Sequence, residues 1–253
     1  LVYGNMKGYL NLDPTPEDMN YWAQRQGLSV TQTTSFTDGT KVQIEQAFIA
    51  NGTGSTILRN GLAGPRAENL ANAAFELAAQ AEALGTPIAD YVLASGWPAN
   101  GVFVVGRHEE DLGGVLEYFK MGKGPYYMLT RPYHLCSLEV PKMIRRALAK
   151  QPPLLTNSLQ PTIGVAAFAK RALGAGTAIT TAIGGFQLRG EAVRMMDVPK
   201  HVPIGLLQDA VLKRPLEPGQ MITLDDVDLV DSRAARIALQ LVQDACTRAA
   251  KPA

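Results

Sequence analysis

The residues best equipped for chemistry begin with Lys41, which follows Asp38-Gly39 at the start of a predicted helix. The positive end of a helix, together with burial, would lower a lysine pKa and ready it to donate or take a proton at neutral pH. Glu45 follows one turn later on the same face and could orient Lys41 or exchange protons with it, with Asp38 close by in sequence. The plainer reading is a surface ion pair, in the weaker Lys-before-Glu order. Asn5 and Lys7 pair an amide with an ammonium, suited to a carboxylate or phosphate; a solvated turn is the alternative. Arg131 and His134 close an aromatic strand, an arrangement fitting an anionic or polyhydroxylated ligand, with His134 a second acid/base candidate. A histidine bonded to backbone explains His134 equally well. His108-Glu109-Glu110-Asp111 offers oxygen ligands for a divalent metal, although a charged loop is the commoner meaning and metal is not favoured.

Helices and short strands must position these groups. Thr15-Pro16-Glu17-Asp18 carries a cap, a first-turn proline and two acids, and the helix it opens should stop at Gly27. A second helix is expected from about Thr40 to Ala50, closed by Asn51-Gly52. The strongest periodicity, Leu70, Ala74, Leu77, Ala81 and Leu84, predicts a helix from Pro65 to Gly85. Further helices are expected from Ser137 to Lys150 and from Ser232 to about Arg248. Strands are expected at 29–35, 91–95, 102–106 and 126–129. This alternation argues for an α/β (α+β) catalytic or substrate domain over residues 1–150, followed by a Gln151-Pro152-Pro153 linker. Residues 151–230 change to glycine, threonine and β-branched residues with frequent turns and read as a small, mostly-β module. A C-terminal helix over 231–253 completes the plan.

That module contains an echo of itself. Residues 169–180 align without a gap on 212–223, matching Lys170-Arg171 with Lys213-Arg214, Leu173 with Leu216, Gly176 with Gly219 and Ile179-Thr180 with Ile222-Thr223. Two copies are too few for a solenoid, so a pseudo-symmetric β fold is expected.

Bulk properties narrow the classes. Of 253 residues, 46% are hydrophobic and 19% charged, as a globular chain requires, and the net charge of +1 gives no case for nucleic acid or a membrane surface. No apolar run approaches the roughly 18 residues of a membrane span. Two cysteines without metal-like spacing suit a reducing, cytoplasmic compartment. The opening at Leu1, in strand-like sequence without a leader pattern, suggests a piece of a longer protein.

Leu212 to Leu229, with its basic pair, glycine, Ile-Thr and Asp-Val elements in order, resembles the end of SAF domains, the β-clip modules of sialic acid synthases and altronate dehydratases. Gly4-Asn5-Met6-Lys7-Gly8, Ser35-Phe36-Thr37-Asp38-Gly39-Thr40-Lys41 and Arg131-Pro132-Tyr133-His134-Leu135 resemble the catalytic half of SAF-containing oxidoreductases related to homoserine dehydrogenase, in the deoxyxylulose-phosphate-reductoisomerase-like branch. The resemblance implies an NAD(P)-dependent oxidoreductase acting on a small polar sugar phosphate, sugar acid or hydroxy acid. NADP or NAD would be bound mainly by a Rossmann domain absent from this chain, because no G-x-G-x-x-G lies here between a strand and a helix. It further implies Lys41 as proton donor, assisted by Glu45, Asp38 and His134, and Asn5, Lys7, Arg131 and Asn51 as substrate contacts. Asn51-Gly52-Thr53 compares with the Asn-Gly-Thr of homoserine dehydrogenases, but it follows the lysine segment here, which argues against a simple homoserine dehydrogenase; a helix C-cap is its plainer meaning. The acid-x-acid metal element of true reductoisomerases is missing. A homo-oligomer is expected. A non-catalytic carbohydrate-binding or oligomerisation protein, and a SAF-bearing lyase, remain the competing classes.

Overall fold

The computed structural model describes residues 1–96, 100–108, 114–133 and 136–249. In chain order it contains β1 (Val2–Lys7), α1 (Pro16–Gln26), α2 (Val30–Thr37), α3 (Thr40–Thr53), β2 (Arg66–Ala67), α4 (Leu70–Leu84), β3 (Ile88–Ala94), β4 (Gly101–Arg107), α5 (Val115–Tyr118), β5 (Tyr126–Arg131) and α6 (Cys136–Leu148). Then follow β6 (Ile163–Ala169), β7 (Ala178–Ile179), β8 (Leu188–Arg194), β9 (Ala210–Leu212), β10 (Val227–Asp228) and α7 (Arg233–Ala249). Among the described residues no helix is long and apolar enough to cross a membrane. The α/β class and the C-terminal helix are as expected.

Two local expectations fail for identifiable reasons. Residues 29–35, rich in Val and Thr, form helix α2 and not a strand. The Ser29 side chain accepts from Gln32 N while the Gln32 side chain accepts from Ser29 N, a complete capping box that satisfies two otherwise orphaned amides. The Thr33 and Thr34 hydroxyls then bond back to the Ser29 and Val30 carbonyls, so the β-branched run is accommodated inside the helix. Pro65 does not start α4. Its carbonyl accepts from Leu93 N, which makes the segment a sheet edge, and Asn69 caps the helix through Ala71 N and Asn72 N. The cap of α1 is as read: Thr15 Oγ1 accepts from Asp18 N, and Gly27 ends the helix with φ +67°.

Two compact units are present, each built from separate stretches of chain. The first comprises Leu1–Gly8, Ile49–Leu58 and Ala63–Ser158. Its five-stranded sheet has the order β2-β3-β1-β4-β5, with β2, β3 and β1 parallel and β4 and β5 antiparallel. Because strand side chains alternate, Val2, Met6, Ile88, Val92, Phe103 and Val105 share one face, and α4 lays Leu70, Ala74, Leu77 and Ala81 against it. Gly4 must stay without a side chain, since the Phe103 ring occupies the place a Cβ would take. Glu82, near the end of α4, meets the Tyr126 hydroxyl and Arg107, fastening the helix to β4 and β5.

The second unit comprises Tyr9–Phe48, Arg59–Leu62 and Leu159–Ala253. Its core gathers Leu173, Ile179, Leu188, Val202, Leu207, Leu212, Leu216 and Ile222 around the antiparallel pair β6-β8 and the sheet β10-β9-β7. The internal echo is a true pseudo-twofold. Leu173 and Leu216 exchange backbone hydrogen bonds, both 2.9 Å. Gly176 N donates to Leu212 O at 2.7 Å as Gly219 N donates to Ala169 O at 2.8 Å, and Leu212 N to Thr177 O as Ala169 N to Gln220 O. Gly176 and Gly219 sit at φ +80° and +79°, a conformation glycine adopts without strain, which explains why that position repeats. Helix α7 rests Val242 and Ala245 on Met195.

Candidate functional site

Within the second unit, Asp38 joins α2 to α3. Its backbone N–H closes α2 on Thr34 O, its Oδ1 accepts from Thr40 N, and its Oδ2 lies 2.7 Å from Lys170 Nζ. Both side chains of this ion pair are fully buried. Burial pushes the Lys170 amine below the usual lysine range, and the Asp38 carboxylate pulls it back upward. Lys170 also donates to Gly185 O at 2.6 Å, so the buried ammonium is held by an anion and a carbonyl.

Two further α3 side chains complete the edge of β8. Thr40 Oγ1 accepts from Gly190 N at 2.9 Å, and Gln43 Oε1 accepts from Ala192 N at 2.8 Å. The same Gln43 amide donates to Gly61 O at 2.7 Å, while Gly61 N donates to Ala192 O. The glutamine thus stands in for a peptide group between two segments, satisfying backbone groups that burial would otherwise leave unpaired. Gln46, one turn further along, is fully buried with neither amide atom hydrogen-bonded.

Lys41 leaves the same helix in another direction. Its ammonium lies 2.6 Å from Glu45 Oε1 and 4.8 Å from the Phe36 ring centre, and its side chain keeps 42% of its exposure. The expected partnership with Glu45 is present. The burial invoked for Lys41 is not; it belongs to Lys170, and Asp38 turns to Lys170 accordingly. A half-open ammonium fixed by a carboxylate and stacked on an aromatic ring is reachable from solvent while its direction is set, as a proton donor needs.

In the first unit, Asn5, Lys7 and Arg131 lie on the sheet face away from α4. Asn5 is buried opposite Tyr91 and Val102, and Val102 in turn faces Arg131, so amide and guanidinium stand in one cross-strand row. Arg131 pairs with Glu139 at 2.6 Å and covers the Tyr133 ring. Lys7 is half-buried at the end of the same strand. Asn51 does not cap a helix end as expected, because α3 runs on to Thr53; its amide donates to Asn157 Oδ1. His134 lies outside the described residues, as do Glu109, Glu110 and Asp111. Among the described residues no three His, Cys, Asp or Glu side chains cluster as a metal site would require.

Several organising groups escaped the sequence reading. Asp90, fully buried on β3, accepts from Ala63 N, Gly64 N and Tyr91 N and so shapes the turn beneath Tyr91. His201 is fully buried, with Nδ1 against Val198 O, and burial lowers its pKa. Only Lys170 carried a signal beforehand, through its place in the echo; Asp90 is an isolated polar residue in an apolar run, and His201 follows Lys200 between two prolines.

A protein-family model described as the catalytic domain of oxidoreductase DRL matches residues 1–140. Comparison with curated proteins returns no match.

Proposed function

Because the chain belongs to the oxidoreductase DRL catalytic-domain family, we propose that it supplies the substrate-binding and proton-transfer groups of an NAD(P)H-dependent carbonyl reduction. The substrate class is a small polar sugar phosphate, sugar acid or hydroxy acid in its carbonyl form. The observation carrying this reading is the Lys41–Glu45 pair, 2.6 Å apart, open to solvent and set against Phe36. Lys41 gives its proton to the carbonyl oxygen as that oxygen becomes an alcohol, and Glu45 holds the ammonium in place and helps restore its proton. The first unit, taken by itself, presents Asn5, Arg131 and Lys7 on one sheet face, amide and cationic groups of the kind that hold a phosphate or carboxylate.

The described residues do not fit the dinucleotide: among them no glycine-rich turn joins a strand to a helix in the manner that cradles a pyrophosphate. In our reading a separate Rossmann domain holds NADH or NADPH, and this chain contributes the proton side of the reaction. The pseudo-twofold pairing of residues 169–180 with 212–223 supports reading that segment as a SAF-like β-clip, and the relation to homoserine dehydrogenase and the reductoisomerase-like branch follows the motifs around Asn5, Lys41 and Arg131.

The test is turnover by the full natural protein against a panel of sugar phosphates, keto sugar acids and keto acids with NADH or NADPH. Oxidation of the nicotinamide by a panel member supports the reading. Binding of the same compounds without any oxidation would favour a carbohydrate-binding protein instead.

A further inference from the structure

The two halves of the echo carry the same Lys-Arg pair, but the pairs are used differently. In the second copy Lys213 stays exposed and bonds within its own β module, donating to Leu224 O and facing Asp228 at 3.6 Å. In the first copy both cations reach into residues 9–48 of the same unit. Lys170 Nζ lies 2.7 Å from Asp38 Oδ2, and Arg171 pairs with Asp13 at 2.6 Å. Positions related by the pseudo-twofold act as an internal control. The exposure of Lys213 shows that this backbone turn forms without burying a lysine, so the burial of Lys170 answers to what it holds. A buried ammonium is costly unless an anion and further hydrogen bonds offset the lost hydration, and Asp38 and Gly185 O are those partners.

What Lys170 holds is the joint that aims Lys41. Asp38 closes α2 through its N–H on Thr34 O and opens α3 through Oδ1 on Thr40 N. Gly39 between them turns the chain at φ +85°, which glycine does without strain. Thr40 is fastened to β8 by Gly190 N. Neighbouring side chains on a helix diverge by about 100°, so with Thr40 directed at β8 Lys41 is turned outward, onto Phe36 and Glu45. We propose that Lys170 is a positioning residue for the reaction: from outside the site it fixes the turn at Asp38 to Thr40, and thereby the direction in which Lys41 presents its ammonium. Without Lys170, a buried carboxylate lacking its counter-ion pulls this turn toward water and shifts the first turn of α3. A displacement of about 1 Å at a reacting group can cost on the order of a hundredfold in rate. The consequence for turnover rests on the catalytic reading of Lys41; the placement of Lys41 is testable without it.

The test reads both on the full natural protein. Brief acetylation with acetic anhydride, followed by mass spectrometry, gives the labelling rate of each lysine. The variants are Lys170→Met, the milder Lys170→Gln, which keeps a donor for Gly185 O, and Lys213→Met as the pseudo-symmetric control, each confirmed as folded by circular dichroism. In both Lys170 variants Lys41 should label about twofold faster or more relative to the exposed Lys123, as the hold of Glu45 loosens. In Lys213→Met it should label at the wild-type rate. On a panel compound that the wild type reduces, kcat of the Lys170 variants should fall by about ten- to a hundredfold with KM little changed. Lys41→Ala/Lys170→Gln should be no slower than Lys41→Ala alone, whereas a merely structural lysine would add its own loss. Wild-type labelling of Lys41 in a folded Lys170 variant overturns the proposal, and so do additive losses. Normal turnover by Lys41→Ala, with labelling still responsive to Lys170, strikes the catalytic reading and leaves Lys170 as the residue that sets Lys41.

Discussion

Replacing Lys170 by methionine is the most revealing structural perturbation, because it removes the charge and keeps most of the stem. The Asp38 carboxylate would then remain fully buried with Oδ1 on Thr40 N and its Oδ2 deprived of the ammonium 2.7 Å away. Removing one partner of a buried ion pair costs about 3–5 kcal/mol, and the surviving Thr40 bond puts the expected loss near the lower end, at about 3 kcal/mol. Losing the bond to Gly185 O adds about 1 kcal/mol. A domain stable by some 5–15 kcal/mol would be left marginal. The double variant Asp38→Asn/Lys170→Met leaves no uncompensated charge, so it should recover about 2 kcal/mol relative to simple addition of the two single losses. Urea unfolding of the four proteins, followed by circular dichroism, measures that coupling. A Lys170→Met protein within about 1 kcal/mol of wild type, or strictly additive losses, would refute the view that this pair is a buried, mutually dependent unit.

Gln43→Ala should cost about 2–4 kcal/mol in the same assay, because it leaves both the Ala192 amide and the Gly61 carbonyl without partners. His201 should make the fold acid-sensitive. Burial lowers its folded pKa below the unfolded value of about 6.5, so its contribution to stability is complete above that pH and declines as pH falls beneath it. Melting temperatures of wild type and His201→Gln, scanned from neutral to acid pH, should converge as the pH drops; parallel curves would remove His201 from the transition.

Elements whose signals are local were readable in the residues. Thr15, Pro16 and Gly27 bracket α1, and the leucine and alanine repeat of α4 needed only its true cap, Asn69. The 169–180 and 212–223 echo was visible because the same backbone turn demands glycine, leucine and isoleucine at the same places in both copies. Where two local signals competed, as in residues 29–35, the capping box outweighed the β-propensity of Val30, Thr31, Thr33 and Thr34, since it satisfies amides that a strand would have had to pair elsewhere. Long-range polar contacts left no trace in spacing. Nothing in the neighbourhood of Asp38 points to Lys170, and nothing around Gln43 points to Gly61 and Ala192. That is why the helix start at Lys41 suggests burial there, when the buried lysine, Lys170, lies more than a hundred residues away.

The central claim concerns Lys41, and the direct measurement is the turnover of Lys41→Ala in the full natural protein, with NADH or NADPH and whichever panel compound the wild type reduces. Its partly exposed pair with Glu45 is worth at most about 1 kcal/mol, so the variant should fold with nearly wild-type stability. Its turnover should fall by about two to four orders of magnitude and respond to an added primary amine that replaces the missing proton donor. A folded Lys41→Ala protein that retains turnover within tenfold of wild type would contradict the assignment.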